Sequence, residues 1–251
     1  MIVITLSGGL GNQLFQYAFG RSLMSKYDVK FLENCAPWGC RVKEFNTQVQ
    51  TVSEPFGQCI DMRGILYNPE YLNIEDNTTV SCGWFQSEKY FRQIADALRK
   101  EIVPREPLSN SALKWADVMQ SCNSVSVSIR RGDYVNIGAI LNSQYYIKAH
   151  TTLVNKLSVP KFFVFTDDPD WARECFVFPD VFEVVPHTVI EGLYLQKLCK
   201  HAILSNSTYA WWGAWLNPDD TRQVIVPDPW FSEDSHLWKD IIPERWIKER
   251  I

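Results

Sequence analysis

A mostly apolar run, Ile2 to Leu6, opens the chain and gives way to the polar, Gly-rich "SGGLGNQ". A short apolar run bounded by turn residues predicts a buried strand. A helix is predicted over 13–27. From 34 to about 77 turn residues dominate and no period emerges. "CGWFQSEKYFRQIADALRKEI" then sets Phe91, Ile94, Leu98 and Ile102 at helical spacing. "VPREPLSNSA" interrupts it, and Pro104 and Pro107 mark a linker.

Beyond the linker the pattern alternates. "SVSVSI" (124–129), "KFFVF", "FEVV", "AILS" and "QVIVP" read as strands. Helices are predicted over 143–157, over "PDWAREC" with Pro169 near its start, over 190–200 and over 209–216. Strand and helix taking turns through short connections is the signature of a parallel α/β sheet. Ligands of such sheets sit beyond the carboxyl ends of the strands. The chain places Gly9 and Gly11, then Arg130-Arg131-Gly132-Asp133, then Thr166-Asp167-Asp168, then Asn206-Ser207-Thr208 at such ends.

Composition narrows the class. With 251 residues and 46% hydrophobic content, the chain can bury one large core or two small ones. A net charge of −4 and no long basic run argue against nucleic acid as a partner. The seven cysteines form no CxxC pair and do not cluster with the histidines, so they read as mostly buried thiols in a reducing compartment. The first apolar run lacks a basic flank and reads as a strand rather than a signal peptide. No stretch approaches the length of a membrane span, which leaves peripheral membrane contact open. The expected location is cytoplasmic. The sequons at Asn77 and Asn206 are read as chance.

Four motifs carry candidate chemistry. In "GGLGNQ" the glycines let backbone approach a ligand and the helix start offers N–H groups. Leu14 stands where a dinucleotide fingerprint needs its third glycine, so a tight turn is the alternative. In "SIRRGDY" two arginines end a strand, and guanidinium forks suit phosphate oxygens. The alternative is one solvated arginine, with Arg131 paired to Asp133. In "FTDDPD", Asp168 and Asp170 could hold a divalent ion, or cap the helix that Pro169 begins. In "SNSTYAWWGAWLN", Ser205, Asn206, Ser207 and Thr208 suit phosphate or sugar oxygens, while Trp211, Trp212 and Trp215 read mostly as core.

Taken in order, "GGLGNQLFQYAFG", "GWFQSEKYF", "VSIRRGDYV", "FFVFTDDPDW", "LCKHAILSNSTYAWWGAWLNP" and "VIVPDPWF" closely resemble the α-1,2-fucosyltransferase family of glycosyltransferases, family 11. The resemblance spans nearly the whole chain. It implies a GT-B-type architecture of two Rossmann-like halves facing a cleft, here 1–108 on the acceptor side and 109–251 on the donor side. It implies inverting transfer of L-fucose from GDP-β-L-fucose to a galactoside hydroxyl in α-1,2 linkage. The implied partners are a nucleotide sugar and an oligosaccharide or glycan acceptor. No cofactor and no essential metal are implied, which disfavours an ion at Asp168 and Asp170. Arg130 would clamp the diphosphate, Asn12 would lie near the sugar and acceptor, and Ser207 and Thr208 would meet the diphosphate. Asp133, Asp167, Asp168 and Glu191 are candidate bases.

Two positions depart from the family pattern. Ser128 replaces the His two residues before the first arginine of "RRGD", and Gly192 replaces an Asp before "LCKH". Residues at these places contact guanine in related enzymes. Glu191 could compensate, since a carboxylate accepts both guanine N–H bonds. The alternatives are transfer from a different sugar nucleotide, and a glycan-binding protein that has lost catalysis.

Overall fold

Strand β1 (Ile2–Ser7) is buried along almost its whole length, as a central strand of a parallel sheet must be. It belongs to a computed structural model that describes residues 1–175, 181–183, 188–231 and 235–251. Two compact units divide the chain: Met1–Glu106 with His236–Pro243, and Pro107–Ser235 with Glu244–Ile251.

In the first unit β1 pairs with β2 (Val29–Asn34) and β5 (Thr78–Gly83). Strands β3 (Thr51–Val52) and β4 (Gln58–Met62) complete a parallel sheet of order β3-β2-β1-β5-β4. Helix α1 (Leu10–Leu23) starts earlier than the sequence suggests, because Gly8, at φ +71°, turns the strand directly into the helix. It also ends four residues short of Tyr27. Gly20 lets it lie against the sheet: a Cβ there would come within 2.8 Å of the Phe31 ring.

The stretch 34–77 holds β3 and β4, whose exposed residues leave no alternation to read. The single helix expected from Phe91 to Ile102 is broken. Two 3-10 turns, Glu88–Tyr90 and Arg92–Ile94, precede α2 (Ala95–Glu101). A spacing of three, as between Phe91 and Ile94, suits a 3-10 turn as well as an α-helix. Half-buried Glu101 then ties α2 to α1 through Arg21, at 2.9 Å, and the Tyr17 hydroxyl.

The second unit begins with α3 (Asn110–Ser121), a helix hidden behind the proline-marked linker and capped by Ser109. Its strands are β6 (Asn123–Ile129), β7 (Pro160–Thr166), β8 (Val181–Glu183), β9 (His201–Ile203), β10 (Val224–Asp228) and β11 (Ile247–Arg250). They form a parallel sheet of order β11-β10-β9-β6-β7-β8. The helices are α4 (Gly132–Asn136), α5 (Ser143–Lys156), α6 (Pro169–Cys175), α7 (Val189–Leu198) and α8 (Thr208–Trp215). The expected strand "FEVV" lies partly outside the described residues.

"SVSVSI" works by period two. Val125, Val127 and Ile129 join a core with Tyr145, Leu153 and Phe162. The alternate serines hydrogen-bond instead: Ser124 accepts the Lys200 N–H, Ser126 donates to His201 O, and Ser128 meets Ser205.

The sequence assigns 236–243 to the second half, but these residues pack in the first unit. Asp240 accepts the Tyr67 N–H at 3.0 Å and pairs with Lys89. The cysteines also differ from expectation. Cys35 and Cys199 are buried, Cys59 is exposed, and Cys40, Cys82 and Cys122 are half-buried. No helix among the described residues is long and apolar enough to cross a membrane.

Candidate functional site

The candidate residues fall into two groups, one in each unit. In the first unit they surround the β1–α1 junction. Gly9 is the N-cap residue of α1, with ordinary φ −72° and no side-chain cap. A Cβ at Gly9 would meet nothing within 4 Å, so backbone is open to a ligand there. Gly11 is buried inside the helix.

Neutral amides hold the junction in place. The Gln13 side chain donates to Gly8 O and Gly39 O, each at 2.8 Å, and accepts the Val42 N–H at 3.2 Å. Gln16 pairs with the Ser7 N–H at 2.8 Å and reaches Gly83 O at 3.1 Å. The glutamine of "GNQ" is therefore part of the scaffold. Asn12 remains half-buried. Its Oδ1 accepts Gln86 Nε2 at 3.0 Å, while its Nδ2 lies 3.0 Å from where a Cβ of Gly8 would be.

In the second unit the group gathers beyond β6. Arg130 donates to Asp133 at 2.6 Å and to Asp167 at 2.8 Å, and lies 5.7 Å from the Tyr134 ring centre. Its side chain is 37% exposed, so a ligand can reach the guanidinium. Gly132 makes room for this arrangement: a Cβ there would stand 2.8 Å from Asp167 Oδ2. The other oxygen of Asp167 accepts the Arg131 N–H at 2.8 Å.

Arg131 does not pair with Asp133, as the sequence suggested. It donates to Asp168 at 2.8 Å and lies over the Trp171 ring at 4.3 Å. Asp168 also caps α6 through the Trp171 N–H at 3.1 Å, and the Arg131 guanidinium holds its carboxyl below the usual range. Asp170 pairs with Arg173 at 2.8 Å. No group of three or more metal-ligating side chains occurs among the described residues.

The run 205–208 follows β9. Ser128 and Ser205 are buried against each other at 3.4 Å. Asn206 is buried and donates to Ala139 O at 2.9 Å. The Tyr134 hydroxyl donates to Asn206 O at 3.3 Å and interacts with Ser207, which links this run to Arg130. Burial raises the Tyr134 pKa, so its phenol remains a hydrogen-bond donor at neutral pH. Ser207 and Thr208 start α8, and no side chain caps that helix. By contrast α3, α5, α6 and α7 are capped by Ser109, Asn142, Asp168 and Thr188. Behind the start of α8, Trp211, Trp212 and Trp215 are core, their ring centres 5.0 to 5.7 Å apart.

Glu191 is engaged elsewhere. It completes a capping box with Thr188 and accepts the Ser109 N–H at 2.8 Å, which joins the starts of α7 and α3. That bond holds its carboxyl below the usual range. Gly192 lies within the first turn of α7, its N–H bonded to Thr188 O at 2.9 Å. Among the candidate bases, Asp168 and Glu191 are thus anions stabilised by donors, which makes them poor proton acceptors. Asp133 and Asp167 are donor-paired as well, both with Arg130, and are set apart only by lying at the guanidinium that a ligand can reach. Sequence reasoning missed Tyr134 and Gln86. Both sit inside quoted motifs, "RRGDY" and "GWFQS", but only the folded contacts single them out.

Residues 72–250 match the sequence profile of Glycosyl transferase family 11. An α-1,2-colitosyltransferase of Escherichia coli is 30% identical over 286 aligned residues, covering 99% of this chain and 98% of that protein. A galactoside 2-α-L-fucosyltransferase of Caenorhabditis elegans is 25% identical, covering 99% and 79%. The crystal structure of the α-1,6-fucosyltransferase NodZ, soaked with GDP-fucose, has a TM-score of 0.54 at 16% identity, covering 86% of this chain and 92% of that one. That likeness concerns the fold alone, which is α/β and GT-B-type with one parallel sheet in each unit. With the profile over most of its length and a relative at 30% identity end to end, this chain belongs to glycosyl transferase family 11.

Proposed function

We propose that the chain is an inverting, metal-independent transferase that moves L-fucose from GDP-β-L-fucose to a galactoside hydroxyl in α-1,2 linkage. The observation that carries this reading is Arg130, half-exposed beyond β6 and linked through Tyr134 to the uncapped start of α8. In the reaction the acceptor oxygen attacks the anomeric carbon and the bond to the diphosphate oxygen breaks. Negative charge grows on the diphosphate, where a preorganised guanidinium and backbone donors stabilise it most. The acceptor proton passes to Asp133 or Asp167. The second unit binds the donor and the first presents the acceptor, with Asn12 donating a hydrogen bond to a sugar oxygen.

A second reading concerns the donor sugar. The relative at 30% identity is named for transfer of colitose. Ser128 and Gly192 leave the family's usual guanine contacts unfilled and Glu191 is engaged in capping, so selectivity for the base is relaxed while GDP remains the best nucleotide. The test is an assay of GDP-fucose, GDP-colitose, GDP-mannose, UDP-galactose and dTDP-rhamnose with a galactoside acceptor. Released nucleotide and the anomeric NMR signal of the product are measured. An α-1,2 product with GDP release from GDP-fucose or GDP-colitose supports the transferase reading and identifies the sugar. Preference for UDP or dTDP donors overturns the donor assignment, and nucleotide-independent glycan binding without turnover favours a lectin.

A further inference from the structure

Asn12, Gln16 and Phe19 fall at i, i+4 and i+7 of α1, one face of the helix. All three meet the end of β5 or the residues just after it. Gln16 donates to Gly83 O at 3.1 Å, Phe19 stacks on Phe85 with ring centres 3.7 Å apart, and Asn12 accepts from Gln86. Phe85 is held at φ +49°, which is rare for a bulky residue and persists only where packing fixes it. Gly83 is required beside it, since a Cβ there would stand 2.2 Å from the Phe85 ring. On the other side Ser87 is fully buried and caps the next turn through the Lys89 N–H. Gln86 is thus fixed from both directions and is itself only 8% exposed.

We propose that Gln86 is a positioning residue that sets which end of the Asn12 carboxamide meets the ligand. A carboxamide has one accepting and one donating end, and its partner decides which faces where. Gln86 donates to Oδ1, so Nδ2 is left toward Gly8 at the mouth of the junction. Asn12 therefore offers a hydrogen-bond donor to a sugar or acceptor oxygen, and it neither accepts nor moves the reacting proton. The role in transfer rests on the proposed function; the orientation of Asn12 does not.

Gln86→Glu tests this with almost no change in shape. The ionised carboxylate of this variant can only accept, so Asn12 must turn Nδ2 inward and present its oxygen to the ligand. Once protonated, the introduced carboxyl donates again and restores the original orientation. Burial raises the pKa of such a carboxyl above the usual carboxylate range. At pH 8 kcat is expected to fall roughly tenfold or more, with KM for the donor within about twofold, and to recover as pH falls toward 5. Gln86→Leu should be impaired at every pH, and melting temperatures check that both variants fold.

The side-chain NH2 resonances of Asn12, assigned by their loss in Asn12→Asp, provide a readout independent of any donor. They should titrate with the introduced carboxyl in Gln86→Glu and stay flat in the parent. If these resonances do not titrate, the coupling is overturned, whatever the rates. If they titrate but the pH profile of kcat matches the parent, Asn12 orientation has no part in transfer and the positioning role is overturned. A parent that uses no GDP-sugar sinks the donor reading, while the resonances still decide the orientation of Asn12.

Discussion

After β1 the chain turns on Gly8 into α1, and the side chains that fix the turn are neutral amides: Gln13, Gln16, Asn12 and Gln86. After β6 it turns on Gly132 into α4, and the groups that fix the turn are charged: Arg130, Arg131, Asp133, Asp167 and Asp168. Each turn has a glycine whose missing Cβ leaves room for a polar side chain. At Gly8 that side chain is the Asn12 amide, and at Gly132 it is the Asp167 carboxylate. Amide networks fix direction without creating a strong field, which suits the hydroxyls of a sugar. A guanidinium held by two carboxylates keeps a cation in a fixed place, as the proposed function requires where charge develops. The glycines of these motifs therefore serve the protein's own polar side chains as much as the ligand.

The sharpest test of the charged junction is Arg130→Lys. Charge is kept, but an ammonium cannot fork onto two oxygens. Turnover should fall by about two to three orders of magnitude, the loss typical of one removed transition-state donor. Arg131→Lys, which alters a stacked pair with Asp168 and Trp171, should cost stability more than turnover. Near-normal turnover of a folded Arg130→Lys protein would remove Arg130 from the mechanism.

Gly9→Ala tests the neutral junction. Nothing lies within 4 Å of the new Cβ and φ is −72°, so the fold accepts it. The roughly 0.4–1 kcal/mol gained as the unfolded chain loses freedom is offset by alanine's poorer N-cap preference, so stability should change by less than about 1 kcal/mol. Turnover should still fall, by roughly tenfold, because a methyl group blocks close approach of the ligand. A folded variant with turnover unchanged would show that no ligand touches this backbone.

Glu191→Gln separates scaffold from chemistry. Loss of the charged cap should cost about 1 kcal/mol, read by denaturant titration, with kcat retained. The parent's pH dependence has a defined sign. The carboxyls of Glu191 and Asp168 are depressed on folding, so their contribution is complete above the unfolded values near pH ~4 and is lost as pH falls below them. Glu191→Gln should therefore show a shallower loss of stability in acid than the parent.

The smallest effect expected is none. Asp170→Asn, or excess EDTA, should leave turnover within about twofold, since Asp168 serves as a helix cap and Asp170 pairs with Arg173. Loss of activity in EDTA that Mn²⁺ restores would revive the Asp168/Asp170 ion site and undo the contrast between the two junctions.

The second unit was largely legible from periodicity. "SVSVSI", "KFFVF" and "PDWAREC" fall where β6, β7 and α6 stand, because buried parallel strands and an Asp-Pro helix start leave local signals. The first unit was legible only at β1 and α1. Its edge strands β3 and β4 are mostly exposed, and its 84–102 stretch satisfies two helical periods at once. In the site, "RRGD" and "GNQ" announced the residue types but not their partners.

By itself the sequence determined the alternating order of strands and helices, the strand ends that carry polar and Gly-rich groups, and the family. These rest on side-chain periodicity and on short motifs, which are properties of neighbouring residues. The tertiary structure decided that Asp167 goes to Arg130, that Glu191 joins two helix starts, and that 236–243 pack with the first unit. It also decided that Gln86, 74 residues away in the chain, orients Asn12. No local pattern encodes such pairs, because a hydrogen bond or ion pair between distant residues exists only after β1, β5, β6 and β7 have been brought together in their sheets.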